Sequence, residues 1–336
     1  MEQTQTLSDK PFPSFSIVLE TENLVNADLA GLSKSLASLA QQDISPALAN
    51  EVWLIESGDT PLELLARLCQ EYPWIKVHQA PLDTGYYKAK MLGAELSTGE
   101  IVVYFDSDCI YEPHWLRSLL STFTNPHIQV VAGETMTRGI GIYGTAMAVA
   151  YIFPPFSGQT TLSQTDQYFL NNVAFRRNFL LAHPIPVELP LYRGNCAIHA
   201  RDLLAKGCAI WKQPHAKATH APPSSLSHFF WRFLLIGHDY YWQNRLASSA
   251  SPNLPDTSSA QSSNSPSGMQ EKINIFTDRF KKILADNPRH LLYLPLALPV
   301  ALSSTLLVAV GYFTTTVRPN ILLKTYSRLI EGNESR

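Results

Sequence analysis

The chain has 336 residues, a formal net charge of −2 and 45% hydrophobic residues. That length holds one large domain plus an appendage, and the near-neutral balance offers no basic field to a nucleic-acid partner. Cys69, Cys109, Cys196 and Cys208 form neither a C-x-x-C pair nor a zinc spacing and read as reduced thiols of a cytosolic domain, while Met1 to Pro13 lacks the basic and apolar regions of a signal peptide.

In chain order, Phe15 to Leu19 reads as a strand running into the polar end Glu20-Thr21-Glu22-Asn23. Leu29, Leu32, Leu36 and Leu39 recur at helical spacing and predict a helix to Ala40. Val52 to Ile55 is a second strand ending in Glu56-Ser57-Gly58-Asp59, and Pro61 opens a helix over Leu62 to Cys69. Ile75 to His78 is a third strand. A turn at Asp83-Thr84-Gly85 then leads to a helix over Tyr87 to Leu96. The fourth strand, I-V-V-Y-F from Ile101, is apolar on both faces, as a central parallel strand must be. This β-α-β-α-β-α-β order with polar strand ends predicts an α/β, mostly parallel open sheet flanked by helices, with a ligand outside the strand ends.

The fourth strand ends in Asp106-Ser107-Asp108. Two neighbouring carboxylates repel, and an unpaired one at a buried strand end is costly. A divalent cation, Mg²⁺ or Mn²⁺, relieves both and commonly bridges to a diphosphate; a solvated turn is the plainer alternative. A helix follows from Glu112-Pro113-His114-Trp115 to Phe123, then a strand over Ile128 to Ala132. Between Arg138 and Asp166 there is no charge, and Gly133 to Thr161 is read as acceptor-side structure near a membrane surface or as an ordinary buried segment. Val173 to Leu181 carries Arg176-Arg177 from a strand into a helix. Phe229 to Trp242, with Trp231, Arg232 and His238, fits an interfacial helix or a core helix.

From Ala247 to Gly268 the composition turns to Ser, Pro and Asn, a linker pattern. Lys272 to Arg289 is basic and amphipathic through Ile273, Phe276, Phe280, Ile283 and Leu284. Leu291 to Val317 carries no charge and is flanked by Arg289 and Arg318, with Tyr293, Tyr312 and Phe313 near its ends. This exceeds the ~20 apolar residues that cross a bilayer, although Pro295 and Pro299 point to a kinked or re-entrant form. The expected organisation is a polar tail over 1–13, an α/β domain over 14–245, a flexible linker over 246–270, an amphipathic plus transmembrane or re-entrant segment over 271–320, and a tail over 321–336.

Four motifs, each at a strand end, make the region from Phe15 to about Trp242 resemble the family 2 glycosyltransferases, whose nucleotide-sugar-binding fold is called GT-A. Ser16 to Asn23, S-I-V-L-E-T-E-N, resembles S-V-V-I-P-T-Y-N, with Glu20 for proline and Glu22 for tyrosine. Val52 to Asp59 is similar to I-V-V-D-D-G-S, with Glu56 at the first acidic position. Thr84 to Ala94 resembles N-x-G-x-x-x-A-R-N-x-G through Gly85, Lys90 and Gly93, and Asp106-Ser107-Asp108 looks like the D-x-D.

The resemblance implies site roles. Thr21 and Glu22 would line the nucleobase pocket, Glu56 would accept from base or ribose, and Gly85 would let the backbone approach the nucleotide. Lys90 would pair with phosphate, and Asp106 would contact the ribose or a metal-bound water. Asp108 would ligate the metal, with His220 in A-T-H-A-P-P as co-ligand. The departure is at the base. The family's G-E-D-like segment corresponds to Gly194-Asn195-Cys196, which holds no carboxylate. Glu188, Asp202 and Asp166 are the alternatives, with Glu188 the first choice for taking the acceptor proton. The implied activity is an inverting, metal-dependent transfer from a UDP- or GDP-sugar to a lipid-linked or glycan acceptor at the cytosolic membrane face. Two other readings are a nucleotide-sugar-binding scaffold on the same fold and, third, a nucleotidyltransferase, which lacks a Gly-rich basic loop here.

Overall fold

The computed structural model describes residues 12–22, 29–58, 60–82, 84–250 and 277–334. Most of the polar tail, Asn23, Asp59, Asp83, the linker from Ser251 and the start of the amphipathic segment, with Ile273 and Phe276, lie outside the described residues.

The first half alternates as expected: β1 (Phe15–Glu20), α1 (Leu29–Ala40), β2 (Val52–Glu56), α2 (Leu62–Glu71), β3 (Ile75–Gln79), α3 (Tyr86–Leu96) and β4 (Ile101–Phe105). Neighbouring strands of the order β3-β2-β1-β4 all pair in parallel. Every β4 side chain is fully buried. Ile101, Val103 and Phe105 join the core under α1, with Leu32, Leu36 and Leu39, while Val102 and Tyr104 join the opposite core under α3. The continuous apolar run is thus spent on two faces.

Beyond β4 the sheet becomes mixed. The elements are β5 (Cys109–Tyr111), α4 (Trp115–Thr122), β6 (Val130–Thr137), α5 (Gly141–Ala150), β7 (Ser163–Thr165), β8 (Asn172–Arg176), α6 (Arg177–Ala182), α7 (Asn195–Ala205) and β9 (Ile210–His220). The sheet continues β4-β8-β6-β9-β5, with β7 also on β9. Strand β8 is antiparallel to both neighbours, and β5 is antiparallel to β9. Strand β6 runs five residues past the predicted Ala132 because β9 offers it a second stretch of pairing, Glu134–Thr137 against Lys217–His220, after a register shift. Gly133 sits at that shift, where a Cβ would collide with the Ala216 carbonyl and the Asn172 amide.

The remainder is helical: α8 (Leu226–Ala250), α9 (277–286), α10 (His290–Val317) and α11 (Ile321–Glu334). Helix α8 carries on through the first residues of the linker composition. Residues expected to be a C-terminal tail instead form α11, because Leu322 and Tyr326 bury against Leu234 and Leu235 of α8. The charge-poor stretch after β6 is core: Ala146, Met147, Tyr151 and Phe153 pack with Phe229, Phe233 and Ile236 of α8 and Ala297 and Ala301 of α10.

Helix α10 is continuous through Pro295 and Pro299 and is about 42 Å long at 1.5 Å per residue, longer than a ~30 Å hydrocarbon layer. Among the described residues it is the one helix long and apolar enough to cross a membrane. One face is fastened to the domain. A Cβ on Gly237 of α8 would strike Val308 and Tyr312 backbone, and one on Gly311 of α10 would strike the Leu234 carbonyl, so the two backbones touch at this crossing. His238 Nδ1 lies 3.1 Å from Thr315 Oγ1 within the same contact. The opposite face exposes Leu292, Leu296, Leu302, Leu306, Val310, Phe313 and Val317.

Replacing Gly311 with Leu is expected to force α10 off α8, costing about 1–3 kcal/mol and lowering the thermal midpoint by several degrees in detergent. Leu306→Ala, on the exposed face, is the control and is expected to leave the midpoint unchanged.

Candidate active site

The two aspartates after β4 have different surroundings. Asp106 is buried and turned inward. Its Oδ1 forms an ion pair with Lys90, its Oδ2 accepts from the Tyr86 hydroxyl at 2.9 Å, and its N–H donates to the Tyr111 hydroxyl at 2.9 Å. Lys90 also donates to the Phe105 carbonyl at 2.6 Å and is fully buried. Glu20 is buried at the end of β1 in the same cluster. Burial pushes its carboxyl well above the usual range, Lys90 pulling the other way.

Asp108 is turned toward His220. Strand register does this: Cys109 pairs with His220 between β5 and β9, and the Ala221 N–H donates to the Asp108 carbonyl at 2.9 Å. Asp108 Oδ2 then lies 3.0 Å from His220 Nε2. His220 Nδ1–H donates to the Ala221 carbonyl, which puts the free lone pair of a neutral imidazole on Nε2. Two acceptors facing each other need a proton or a cation between them. Burial alone would raise the Asp108 carboxyl, but with a proton on His220 Nε2 the imidazolium, and then Arg232, outweigh it and hold it at about 2. Cys109 Sγ also lies in this cluster and donates to Asp108 Oδ1. Burial and the two aspartates push its thiol well above the usual range, so it is a donor to the carboxylate rather than a thiolate ligand. The donor set of carboxylate and neutral imidazole, with the ring oriented by a carbonyl, suits a divalent cation.

Both aspartates line a cavity of about 240 Å³. Lys34, Arg138, Arg193 and Arg232 line it too, with the aromatic rings of Tyr86, Tyr151 and Phe153. Arg193 and Arg232 are placed by specific contacts. Arg193 stacks 4.5 Å from the Tyr86 ring and pairs with Glu22. Its backbone N–H and that of Tyr192 donate to Asp239 of α8 at 2.8 and 2.7 Å. Burial pushes Asp239 up to about 6, even with those two donors lowering it. Arg232 donates to the Tyr151 hydroxyl at 2.8 Å. His228, one turn earlier on α8, is pushed down to about 4 by burial and then by Arg232. With Asp106 paired to Lys90 and Arg193 to Glu22, Lys34, Arg138 and Arg232 face the single carboxylate of Asp108, an excess of positive charge that suits a polyanion.

The structure brings together Asp106, Asp108 and His220 from the sequence-predicted set, and it corrects two residues. Lys90 does not face a phosphate: it lies beneath the pocket and is spent on Asp106 and Phe105. Glu188 is exposed and does not line the cavity, and the same holds for Asp166 and Asp202. Asn195 and Cys196, at the position of the family's base, begin α7, and Cys196 lines the cavity with the Tyr87 hydroxyl 3.8 Å from its Sγ. Thr21 and Glu56 sit at the ends of β1 and β2, outside the cavity lining. Thr21 accepts from the Ser57 N–H, and Glu56 Oε1 accepts from Gly58 and Thr60. Glu56 Oε2 has no partner among the described residues. Gly85 starts α3 with open space where a Cβ would stand. The sequence reading gave no site role to Lys34, Arg138, Arg193 or Arg232. Arg193 had one available signal, its place just before Gly194-Asn195-Cys196.

Residues 25–199, more than half of the chain, match the family model described as Glycosyl transferase family 2. An N-acetylglucosaminyltransferase of Mesorhizobium japonicum is 26% identical over 130 residues, which is 38% of this chain and 30% of that protein. Glycosyltransferase AglE of Haloferax volcanii is 24% identical over 124 residues, 36% of this chain and 39% of the relative. The chain thus spans well under half the length of these curated relatives. Among solved structures, mannosyltransferase PcManGT from Pyrobaculum calidifontis, in complex with GDP-Man and Mn²⁺, superposes with a TM-score of 0.54 at 17% identity, covering 96% of this chain and 86% of that one. GalNAc-T7 with UDP, GalNAc and Mn²⁺ gives 0.53 at 14% identity, covering 74% and 53%. These likenesses show the GT-A fold, and the family match carries the assignment: this chain belongs to glycosyl transferase family 2.

Proposed function

We propose that this chain is a metal-dependent glycosyltransferase that moves a sugar from a nucleotide-diphosphate donor, a UDP- or GDP-sugar, to a lipid-linked or glycan acceptor at the cytosolic face of a membrane. The observation that carries this reading is the Asp108–His220 pair at a cavity ringed by cations. Both structural neighbours named above are Mn²⁺ complexes with nucleotides or nucleotide sugars. A divalent cation held by Asp108 and His220 would neutralise the leaving diphosphate. Arg193, Arg232 and Lys34 bind its remaining charge, and the aromatic walls exclude water and strengthen those contacts. Asp106 orients the donor through a carboxylate fixed by Lys90 and Tyr86, while Thr21, Glu22, Glu56 and Gly85 mark the proposed nucleobase side. The exposed leucine face of α10 is proposed to sit in the membrane.

One observation favours a second reading, a nucleotide-sugar-binding scaffold. Asn195 and Cys196 replace the acidic segment, and no described carboxylate other than Asp106 and Asp108 lines the cavity. Metal-dependent release of nucleoside diphosphate from a donor panel decides between the two readings; binding without release would select the scaffold.

Asp108→Asn and His220→Ala are each expected to weaken Mn²⁺-dependent donor binding by at least tenfold, on the order of a lost metal contact, as read by calorimetry with and without the ion. Unchanged affinity in both variants sinks the metal assignment. Leu302→Glu combined with Leu306→Glu should release the full chain from vesicles in a flotation assay, since charges at membrane depth cost roughly 2.5 kcal/mol or more each. Retention of that variant on vesicles would remove the membrane role from α10.

A further inference from the structure

No helix or strand covers 183–194, the stretch that carries Arg193 into the cavity wall, so its backbone polar groups depend on side chains from elsewhere. Helix α8 supplies several. His238 Nε2–H donates to the Pro190 carbonyl at 3.0 Å. Asp239, the next residue, accepts the Tyr192 N–H on Oδ1 at 2.7 Å and the Arg193 N–H on Oδ2 at 2.8 Å. One turn further on, Gln243 lies so close that a Cβ on Gly194 would strike its amide. From the other side, the Tyr87 hydroxyl of α3 donates to the Arg193 carbonyl at 2.6 Å. The N–H and the carbonyl of Arg193 are thus each held by a buried side chain, one from α8 and one from α3.

Asp239 suits this clamp as an anion. Each of its oxygens takes one N–H, and a proton on either oxygen makes it a poorer acceptor. Asparagine in its place would set its single oxygen against one N–H and its own NH₂ against the other. Burial pushes the Asp239 carboxyl up to about 6, against the two N–H donors and then Arg232 and Arg193, which lower it. The group is therefore ionised above that value and neutral below it. Around it stand Arg232, His238 and Tyr240 on α8, Tyr192 and Arg193 on the loop, and Tyr87 on α3. The arginines keep their charge, while burial pushes the Tyr87 and Tyr240 hydroxyls up and the His238 imidazole down.

We propose that Asp239 is a positioning residue for donor binding that acts through Arg193. This rests on the reading above in which Arg193 binds the donor diphosphate. With Asp239 ionised, the Arg193 main chain is fixed, and its guanidinium stands over the Tyr86 ring at the cavity wall. With Asp239 neutral, one N–H loses a good acceptor, the loop loosens, and the guanidinium is less well placed for the diphosphate. Donor binding then weakens in mildly acid solution for a reason seated on α8, away from the metal pair.

The test is calorimetric titration of the full chain in detergent, with Mn²⁺ and a panel of UDP- and GDP-sugars, the tightest of them being used for the comparison. A nucleotide sugar carries no terminal phosphate monoester, so its charge is constant over the pH range used. Wild type, Asp239→Asn, Arg193→Gln and the double variant are compared. At about pH 7.5 each single variant is expected to bind at least about tenfold more weakly, and the double variant to fall no more than about threefold below the weaker single one. Fully additive losses overturn the proposal, since Asp239 would then act elsewhere than through Arg193. At about pH 5 the gap between wild type and Asp239→Asn is expected to close to about threefold or less, because the wild-type carboxyl is then protonated as well. His220 and His238 are present in both chains, so their share cancels, and a gap that persists on acidification overturns the proposal. Where Asp239→Asn does not fold, wild type against Arg193→Gln decides: their gap should narrow in the same way, and a constant gap overturns the proposal. Failure of wild type to bind any nucleotide sugar of the panel defeats the donor reading itself, whereas normal binding by Asp239→Asn defeats this inference alone.

Discussion

The antiparallel register that sets Cys109 opposite His220 is the constraint on which the site depends. It joins the loop after the fourth strand to the last residue of the ninth, and the side chains of Asp108 and His220 meet as a consequence. The same residue is held from the other side, because β6 pairs in parallel with β9 and ends with Thr137 opposite His220. His220 is therefore bracketed by two strands, and Asp108 and Arg138 follow from where those strands begin and end. A slip of one residue in β9 would turn the imidazole to the other face of the sheet. The bulge at Gly133 matters for the same reason: it resets the β6–β9 register so that the outer stretch ends on His220.

A buried amide network keeps that register. Asn172 donates to the carbonyls of Glu134 and Ala216, each at 3.0 Å, and accepts from Trp115 Nε1 at 2.8 Å, tying β8, β6, β9 and α4 together. Asn171 adds a contact to Thr135 at 3.1 Å, and its carbonyl accepts from the Tyr111 hydroxyl that receives the Asp106 N–H. Each of these groups would be expensive to bury alone, and together they are satisfied. Their direction is specific where apolar packing is not, so they fix which strand lies next to which.

The contrast between the halves explains what could be read from the residues in order. The donor half announces itself because its strands are continuous apolar runs, its helices carry leucines at regular spacing, and each strand end is polar. Asp106 and Asp108 were legible for that reason, and His220 through family resemblance. Strand β9 was not, since Pro214 interrupts it and its burial is uneven. Arg138, Arg193 and Arg232 were hidden because arginine in a sequence carries no sign of where it points. Their sites depend on contacts far along the chain, Arg193 with Glu22 and Arg232 with Tyr151. Lys90 misled in the opposite sense. It stands at a motif position associated with phosphate, yet Asp106 at the pocket wall and Glu20 behind it create a buried acidic pair, and an ammonium is needed there first.

Helix α8 links the parts that otherwise look independent. His228 and Arg232, four residues apart, present one face to the cavity, and Asp239 holds the backbone of Tyr192 and Arg193 two turns later. Between them Gly237 is where α10 presses its backbone against the helix. The apolar helix is thus braced by the element that also positions two of the four cations, rather than tethered at the end of a linker. The membrane attachment and the diphosphate binding proposed above would then share one element, with Arg232 and Gly237 little more than one turn apart on it.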